Sequence, residues 1–250
     1  MSTVFTLEPL LVGMLPAFPL TKFLEGYHGD ATVDAPCISW LARGSDGTAV
    51  LVDTGPAPRC VSTFPVVVEE HHRIDQALNA AGVDPAEITA VVYTHLHWDH
   101  CAGAENLPNA RIFVQERELQ FAVSPPTQFR RGYEVGTRGT SPSWMPSFDR
   151  IEPVTGDIEV SPGFRMVSLP GHTPGSAGVI FQGRTGRYAV VGDLVNQIEN
   201  WEGTAESPGH IAPSLHASLE DCHTAFAKLD QEADIVLASH DARMLDRAVY

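Results

Sequence analysis

The segment Thr94-His95-Leu96-His97-Trp98-Asp99-His100 places three imidazoles and a carboxylate within six residues, directly after the apolar run Ala90-Val91-Val92-Tyr93. Neutral imidazole and carboxylate are the side chains that hold zinc, iron or manganese. Further donors lie downstream at His172, Asp193 and His240, each just beyond an apolar run. A His-rich surface loop is the bland reading of the first motif. The downstream donors weigh against it.

Seven residues fit a two-metal site. His95, His97 and His172 can supply nitrogens to one ion, Asp99, His100 and His240 can hold the second, and Asp193 can bridge them. Closely spaced donors on one loop lower the ordering cost of such a site. Gly171 and Gly192 let the backbone turn sharply beside two of the donors. Mixed imidazole and carboxylate ligands suit Zn2+ best, with Fe2+ and Mn2+ as alternatives. Asp53 is a candidate to orient a ligating imidazole from behind, or else is a strand-end turn residue.

The surrounding pattern says what must position these groups. Ile38 to Leu41 and Ala49 to Asp53 read as strands around the turn Gly44-Ser45-Asp46-Gly47, with Ala90 to Tyr93 and Arg111 to Val114 as two more. Ile74, Ala77, Leu78 and Ala81 recur at helical spacing, which predicts a helix over 69–81 that Gly82 ends. A helical turn at Asp84-Pro85-Ala86-Glu87 and a helix from Gln115 to about Phe121 follow. Arg165 to Leu169, Val179 to Gln182, Tyr188 to Val191 and Ile235 to Ala238 are strands, and Ser218 caps a helix with Leu219, Cys222, Phe226 and Leu229 on its apolar side. The alternation predicts an α/β protein with sheets covered by helices. His95, His172, Asp193 and His240 each follow a strand, so the donor loops can meet at one sheet edge.

These pieces resemble the metallo-β-lactamase superfamily. Leu51-Val52-Asp53-Thr54-Gly55, Thr94 to His100, Gly171-His172-Thr173-Pro174-Gly175-Ser176, Gly192-Asp193 and Ser239-His240-Asp241 stand in the superfamily order across residues 38–245. The resemblance implies an αββα sandwich with the metals at one edge between the two sheets. Within the superfamily the chain is most similar to the N-acyl-homoserine lactonase group, through Thr94 to Gly103, Pro108-Asn109-Ala110-Arg111, Gly171 to Ser176 and Ala233 to Leu237. That group carries a Tyr three residues after the bridging Asp. This chain has Asn196, which can donate a hydrogen bond but cannot deliver a proton.

The expected reaction is attack by a metal-bridged hydroxide on the carbonyl of a lactone or related ester. Asn196 would help the oxyanion and Asp99 would carry the proton to the leaving alkoxide. Between Phe121 and Asp149 the chain is polar and weakly periodic, which suggests a lid or substrate loop. Its Phe129, Tyr133, Trp144 and Phe148, with Trp201 opposite, are the expected substrate walls; Arg130, Arg131 or Arg138 could pair with a substrate carboxylate. His210 and His216 lie in a segment that could border the pocket, whereas His71 and His72 read as surface or core-edge residues.

Composition sets the outer limits. The chain has 250 residues, 43% of them apolar, with no linker, and reads as one domain over 1–250. A net charge of −15 argues against nucleic acid or an anionic membrane as partner, and no apolar run is long enough for a membrane span. The first 24 residues lack a basic n-region, so a signal peptide is not expected and the cytoplasm is the expected location. Four scattered cysteines form no C-x-x-C pair. A homodimer is compatible with these features. Rival readings are an iron-dependent persulfide dioxygenase, a thioesterase of the glyoxalase II type and a non-catalytic binding protein. Glyoxalase II relatives append a helical domain, and ten residues follow His240 here.

Overall fold

In a computed structural model, which describes residues 3–60, 64–136 and 138–250, two β-sheets stack face to face with helices outside. The first sheet holds β1 (Phe5–Pro19), β2 (Thr32–Gly44), β3 (Ala49–Val52), β4 (Ala90–Val92), β5 (Arg111–Gln115) and β6 (Ile151–Val154), in that spatial order. The second holds β7 (Ile158–Ser161), β8 (Phe164–Ser168), β9 (Ala177–Gln182), β10 (Arg187–Val190) and β11 (Ile235–Leu237), also in order. The α-helices are α1 (Ile74–Ala80), α2 (Trp98–Cys101), α3 (Glu116–Val123), α4 (Ile198–Glu202) and α5 (Leu219–Glu232). This is the expected αββα sandwich. Among the described residues, no helix is long and apolar enough to cross a membrane.

Side-chain alternation builds the layers. In β2 and β3, Ile38, Trp40, Ala42, Val50 and Val52 face the core between the sheets, where they meet Phe164, Met166, Val179 and Phe181. Their neighbours Cys37, Leu41 and Leu51 face the other way, against Ile74, Ala77 and Leu78 of α1. A period of two thus serves two cores at once. Helix α5 covers the second sheet with Cys222, Ala225, Phe226 and Leu229. Ser218 starts it by accepting from Asp221 N at 3.1 Å, and Glu220 and Asp221 complement the positive end of the helix.

Strand direction gathers the ends that matter. β3 and β4 run parallel, as do β10 and β11, and β8 is antiparallel to β9, which is antiparallel to β10. The carboxyl ends of β8, β10 and β11 therefore share one edge. Ala177 N donates to Thr94 O at 2.8 Å and ties that edge to the loop after β4.

Three local expectations change. The helix over 69–81 is broken: a 3-10 turn at Glu70–His72 precedes α1, because Arg73 is extended (φ −59°, ψ 140°). Trp98 to Cys101 is a helical turn rather than part of a loop. The N-terminal segment, which shows no clear sequence period, becomes β1; two register shifts along its pairing with β2 interrupt the alternation.

Asp157, between β6 and β7, staples the second sheet to α5. It accepts from Lys228 Nζ at 2.8 Å and from Ser168 N at 2.9 Å. Burial pushes its carboxyl up, but Lys228 and the Ser168 N–H outweigh that and hold it below the usual range. A depressed native pKa adds stability above the unfolded value, lost as pH falls through the native one. Asp157→Asn should therefore destabilise by about 1 kcal/mol at pH 7. The gap between the variant and parent denaturant midpoints should narrow below about pH 4.

Candidate metal centre

The donors collect at the shared edge in two groups. Nitrogens of His95, His97 and His172 and an oxygen of Asp193 lie within 4.8 Å of one another, as do donors of Asp99, His100 and His240. His95 Nε2 stands 2.9 Å from His97 Nδ1, and His172 Nε2 stands 3.1 Å from the same atom. Asp193 spans the groups. Its Oδ1 is 3.1 Å from His100 Nε2 and 3.2 Å from His240 Nε2, and its Oδ2 is 3.6 Å from His172 Nε2.

Four of the five imidazoles are aimed from behind by hydrogen bonds. His172 Nδ1–H donates to Leu215 O at 2.5 Å and His240 Nδ1–H to Pro36 O at 2.9 Å. His100 Nδ1–H donates to Asp53 Oδ2 at 2.8 Å. Thr94 gives its hydroxyl proton to the same Oδ2 at 2.7 Å, so its oxygen accepts from His95 Nδ1–H at 3.1 Å. Asp53 thereby sets the tautomers of both His95 and His100. With Nδ1 protonated, Nε2 presents a lone pair to the centre. Asp53 adopts φ +59°, a left-handed conformation that Asp tolerates better than most residues.

This donor set fits divalent cations. Among the described residues His100 Nε2 is buried and makes no hydrogen bond that meets ordinary geometry, with Asp193 Oδ1 3.1 Å away. Lone pairs of three imidazoles converge at His97 Nδ1, where a single proton cannot satisfy all of them. Burial, with the neighbouring imidazoles, holds His95 and His97 well below their usual range, and burial likewise lowers His172. Burial works the same way on His100 and His240, but there the charge of Asp193 wins and the net shift is upward. Asp193 is held well below the carboxylate range: burial opposes this, and His100 and His240 outweigh it. A cation at the second group must displace protons from His100 and His240. Metal affinity should therefore rise with pH, and titrating zinc into metal-free protein near neutrality should release protons; calorimetry in buffers of different ionisation enthalpy reads both.

A buried acid absent from the sequence-based site ties the donor loops together. Glu118 of α3 accepts from Leu96 N at 2.9 Å, Tyr133 Oη at 2.7 Å and Thr173 Oγ1 at 2.5 Å. These partners sit between His95 and His97, against His97, and beside His172. Burial pushes the Glu118 carboxyl up, and the three donors oppose that. Its one sequence signal is an acid four residues before Ala122, on the buried side of an amphipathic helix. Gly132 also belongs here, because a Cβ would stand 2.5 Å from His97 Cδ2.

A cavity of about 420 Å³ opens over the donors. His97, Asp99, His172, Asp193, Asn196 and His240 line its floor. Leu15, Phe18, Phe23 and Phe64 form one wall and Phe129 part of the other, with His216 at the side. Of the five aromatics expected at the substrate, Phe129 alone lines this cavity. Tyr133 lies behind the floor, edge-on to His97 at 4.6 Å. Trp144 is buried in the core under the first sheet, and Phe148 is 53% exposed outside the cavity. Trp201 stacks on His210 at 4.3 Å and packs on the α5 core, which draws both away from the cavity. Asn196 is buried; its Nδ2 donates to Asp193 O at 3.1 Å, and among the described residues its Oδ1 has no hydrogen-bond partner.

A family model of the metallo-beta-lactamase superfamily matches residues 33–240, which contain every donor described above. The chain belongs to the metallo-β-lactamase superfamily. An N-acyl homoserine lactonase of Bacillus sp is 26% identical over 223 residues, covering 84% of this chain and 82% of the relative. The N-acyl homoserine lactonase AttM of Rhizobium radiobacter is 28% identical over 207 residues, covering 78% and 75%. Among solved structures, a quorum-quenching N-acyl homoserine lactone lactonase superposes with a TM-score of 0.73 at 22% identity, covering 97% of this chain and 94% of that one. AidC, a dizinc quorum-quenching lactonase, superposes with a TM-score of 0.70 at 18% identity, covering 97% and 89%. At these identities the structural matches bear on the fold alone.

Glu118→Gln keeps the size of the side chain but turns an N–H toward a site built only of donors. The variant should stay folded by circular dichroism and lose about 10- to 100-fold in metal affinity, measured by competition with a chelator.

Proposed function

We propose that this member of the superfamily is a dinuclear metal-dependent hydrolase that opens a lactone or related ester. The observation that carries this reading is Asp193, whose two oxygens face two separate groups of imidazoles. His95, His97 and His172 would hold one ion, Asp99, His100 and His240 the other, with Asp193 between them. When bound, the ions supply Lewis acidity toward a carbonyl and bring the pKa of water toward neutrality.

The residues divide the remaining work. Asp99 lines the cavity 3.9 Å from His240 Nε2 and can carry a proton to the leaving alkoxide. One Asn196 N–H closes the loop onto Asp193 O, which leaves its second N–H for the oxyanion. It cannot give that proton up, so the leaving group takes its proton from Asp99. The aromatic wall of Phe18, Phe23 and Phe64 excludes water from the reacting carbonyl and accommodates an apolar arm of the substrate. The names of the curated relatives support lactones as the first substrates to assay.

Protein purified without added metal should hold about two divalent ions per chain, zinc foremost, by elemental analysis. His97→Ala and Asp193→Ala should each release metal and lower kcat/KM for a lactone or aryl ester by at least about 100-fold. A single iron per chain with oxygen uptake on a persulfide would overturn the proposal, as would full activity in either variant.

A further inference from the structure

We propose that the substrate carries an anionic group, a carboxylate or its equivalent, held by Lys22 and Arg131 at the mouth of the metal-centre cavity. This rests on the hydrolase reading and names the substrate class more closely. Lys22 ends the 3-10 turn Leu20–Lys22 beside Phe18 and Phe23, and Arg131 precedes Gly132, which packs on His97. Both line the cavity that contains Asp193 and His240.

Neither cation is neutralised by the protein. Among the described residues no carboxylate lies within ion-pair distance of Lys22 or Arg131. Arg43, Arg111, Arg187, Lys228 and Arg243, by contrast, each pair with an Asp or Glu. A shortage of acids is not the cause, since the chain has 31 Asp and Glu against 16 Lys and Arg. The carboxylates on the cavity lining are Asp99 and Asp193, both in the metal donor groups. Glu25 stands 3.9 Å from His216, another lining residue.

The two cations also sit on different segments that the fold brings to one opening. Lys22 follows β1, and Arg131 lies in the stretch between α3 and β6. Lys22 is half-buried and Arg131 exposed, so a substrate whose carbonyl reaches the floor would leave its far end between them. Apolar walls lower the local dielectric and strengthen a charge pair there. A neutral acyl arm would use the walls and leave both cations without a partner.

The test uses two aryl esters on the metal-loaded full chain: the mono-para-nitrophenyl ester of suberic acid, whose chain is too long for its own carboxylate to attack the ester through a small ring, with the far carboxyl either free or capped as the methyl ester. The expected ratio of kcat/KM, free over capped, is about tenfold or more in the parent protein. In the Lys22→Ala, Arg131→Ala double variant it should fall below one, because the net charge of −15 then disfavours the anion. Both esters are read on one preparation, so partial misfolding cancels in the ratio. A parent ratio of one or less overturns the proposal, as does a double variant that keeps the parent ratio. Hydrolysis of neither ester by protein holding two ions overturns the hydrolase reading itself. Equal hydrolysis of both overturns only the anionic substrate.

Discussion

Everything at this site depends on where a few protons sit. Four imidazoles turn Nε2, and one turns Nδ1, toward a buried space bounded by Asp193. Rings free to change tautomer there would pair with one another in several ways and close the space. The outer hydrogen bonds prevent this: Leu215 and Pro36 carbonyls each take one Nδ1 proton, and Asp53 takes that of His100 and, through Thr94, governs that of His95. Burial then keeps His95, His97 and His172 neutral. The lone pairs of these three are ready before any ion arrives, and at His100 and His240 the rings are already oriented, so binding incurs little ordering cost.

The fold supplies the positions that make such aiming work. Asp53 follows β3 and His95 follows β4, and the two strands are parallel neighbours, so their ends lie side by side. Asp193 and His240 follow β10 and β11, also parallel neighbours. The two pairs belong to different sheets, and their separation is set by the side chains packed between the sheets. Glu118 and the Ala177–Thr94 hydrogen bond tie the sheets together at that edge. A rigid core therefore fixes the distance between two pairs of strand ends that are far apart in sequence.

This explains what the chain discloses before folding. Metal donors are legible because the chemistry admits few residue types, and because His95, His97, Asp99 and His100 are crowded on one loop. Asp53 is legible as a strand-end acid. Glu118 is not, because one glutamate in a short amphipathic helix looks like any solvated one until the fold buries it. β1 is hidden by its register shifts, and with it Phe18 and Phe23 of the cavity wall. Of the segment 121–149, Gln128, Phe129, Arg131 and Gly132 line the cavity, while most of its aromatics face elsewhere. Trp144 serves the core and Tyr133 backs His97, while Phe129 reaches the cavity.

The division between donors and walls has a chemical consequence. The candidate donors stand on loops at strand ends that the inter-sheet core holds in place, and His95, His100, His172 and His240 are each bonded from behind. The walls come from the end of β1, the turn after it, Phe64 and the segment between α3 and β6; they reach the donors by packing, Phe23 on His240 at 5.6 Å and Gly132 on His97. A change in the walls therefore reaches the candidate donors through packing, whereas the hydrogen bonds that aim the imidazoles come from Pro36, Asp53, Thr94 and Leu215. Asn196 falls on the other side of this line. Its amide is bonded to Asp193 O and its backbone N–H to Asn200, inside the loop that carries the bridging carboxylate. A change there alters the position of Asp193 as well as the donor offered to the oxyanion. The residue that differs from the lactonase pattern is thus hydrogen-bonded into the loop that carries Asp193, whereas Phe23 and Gly132 meet His240 and His97 by packing. Differences in rate should originate at Asn196, and differences in which ester is chosen should originate at the walls.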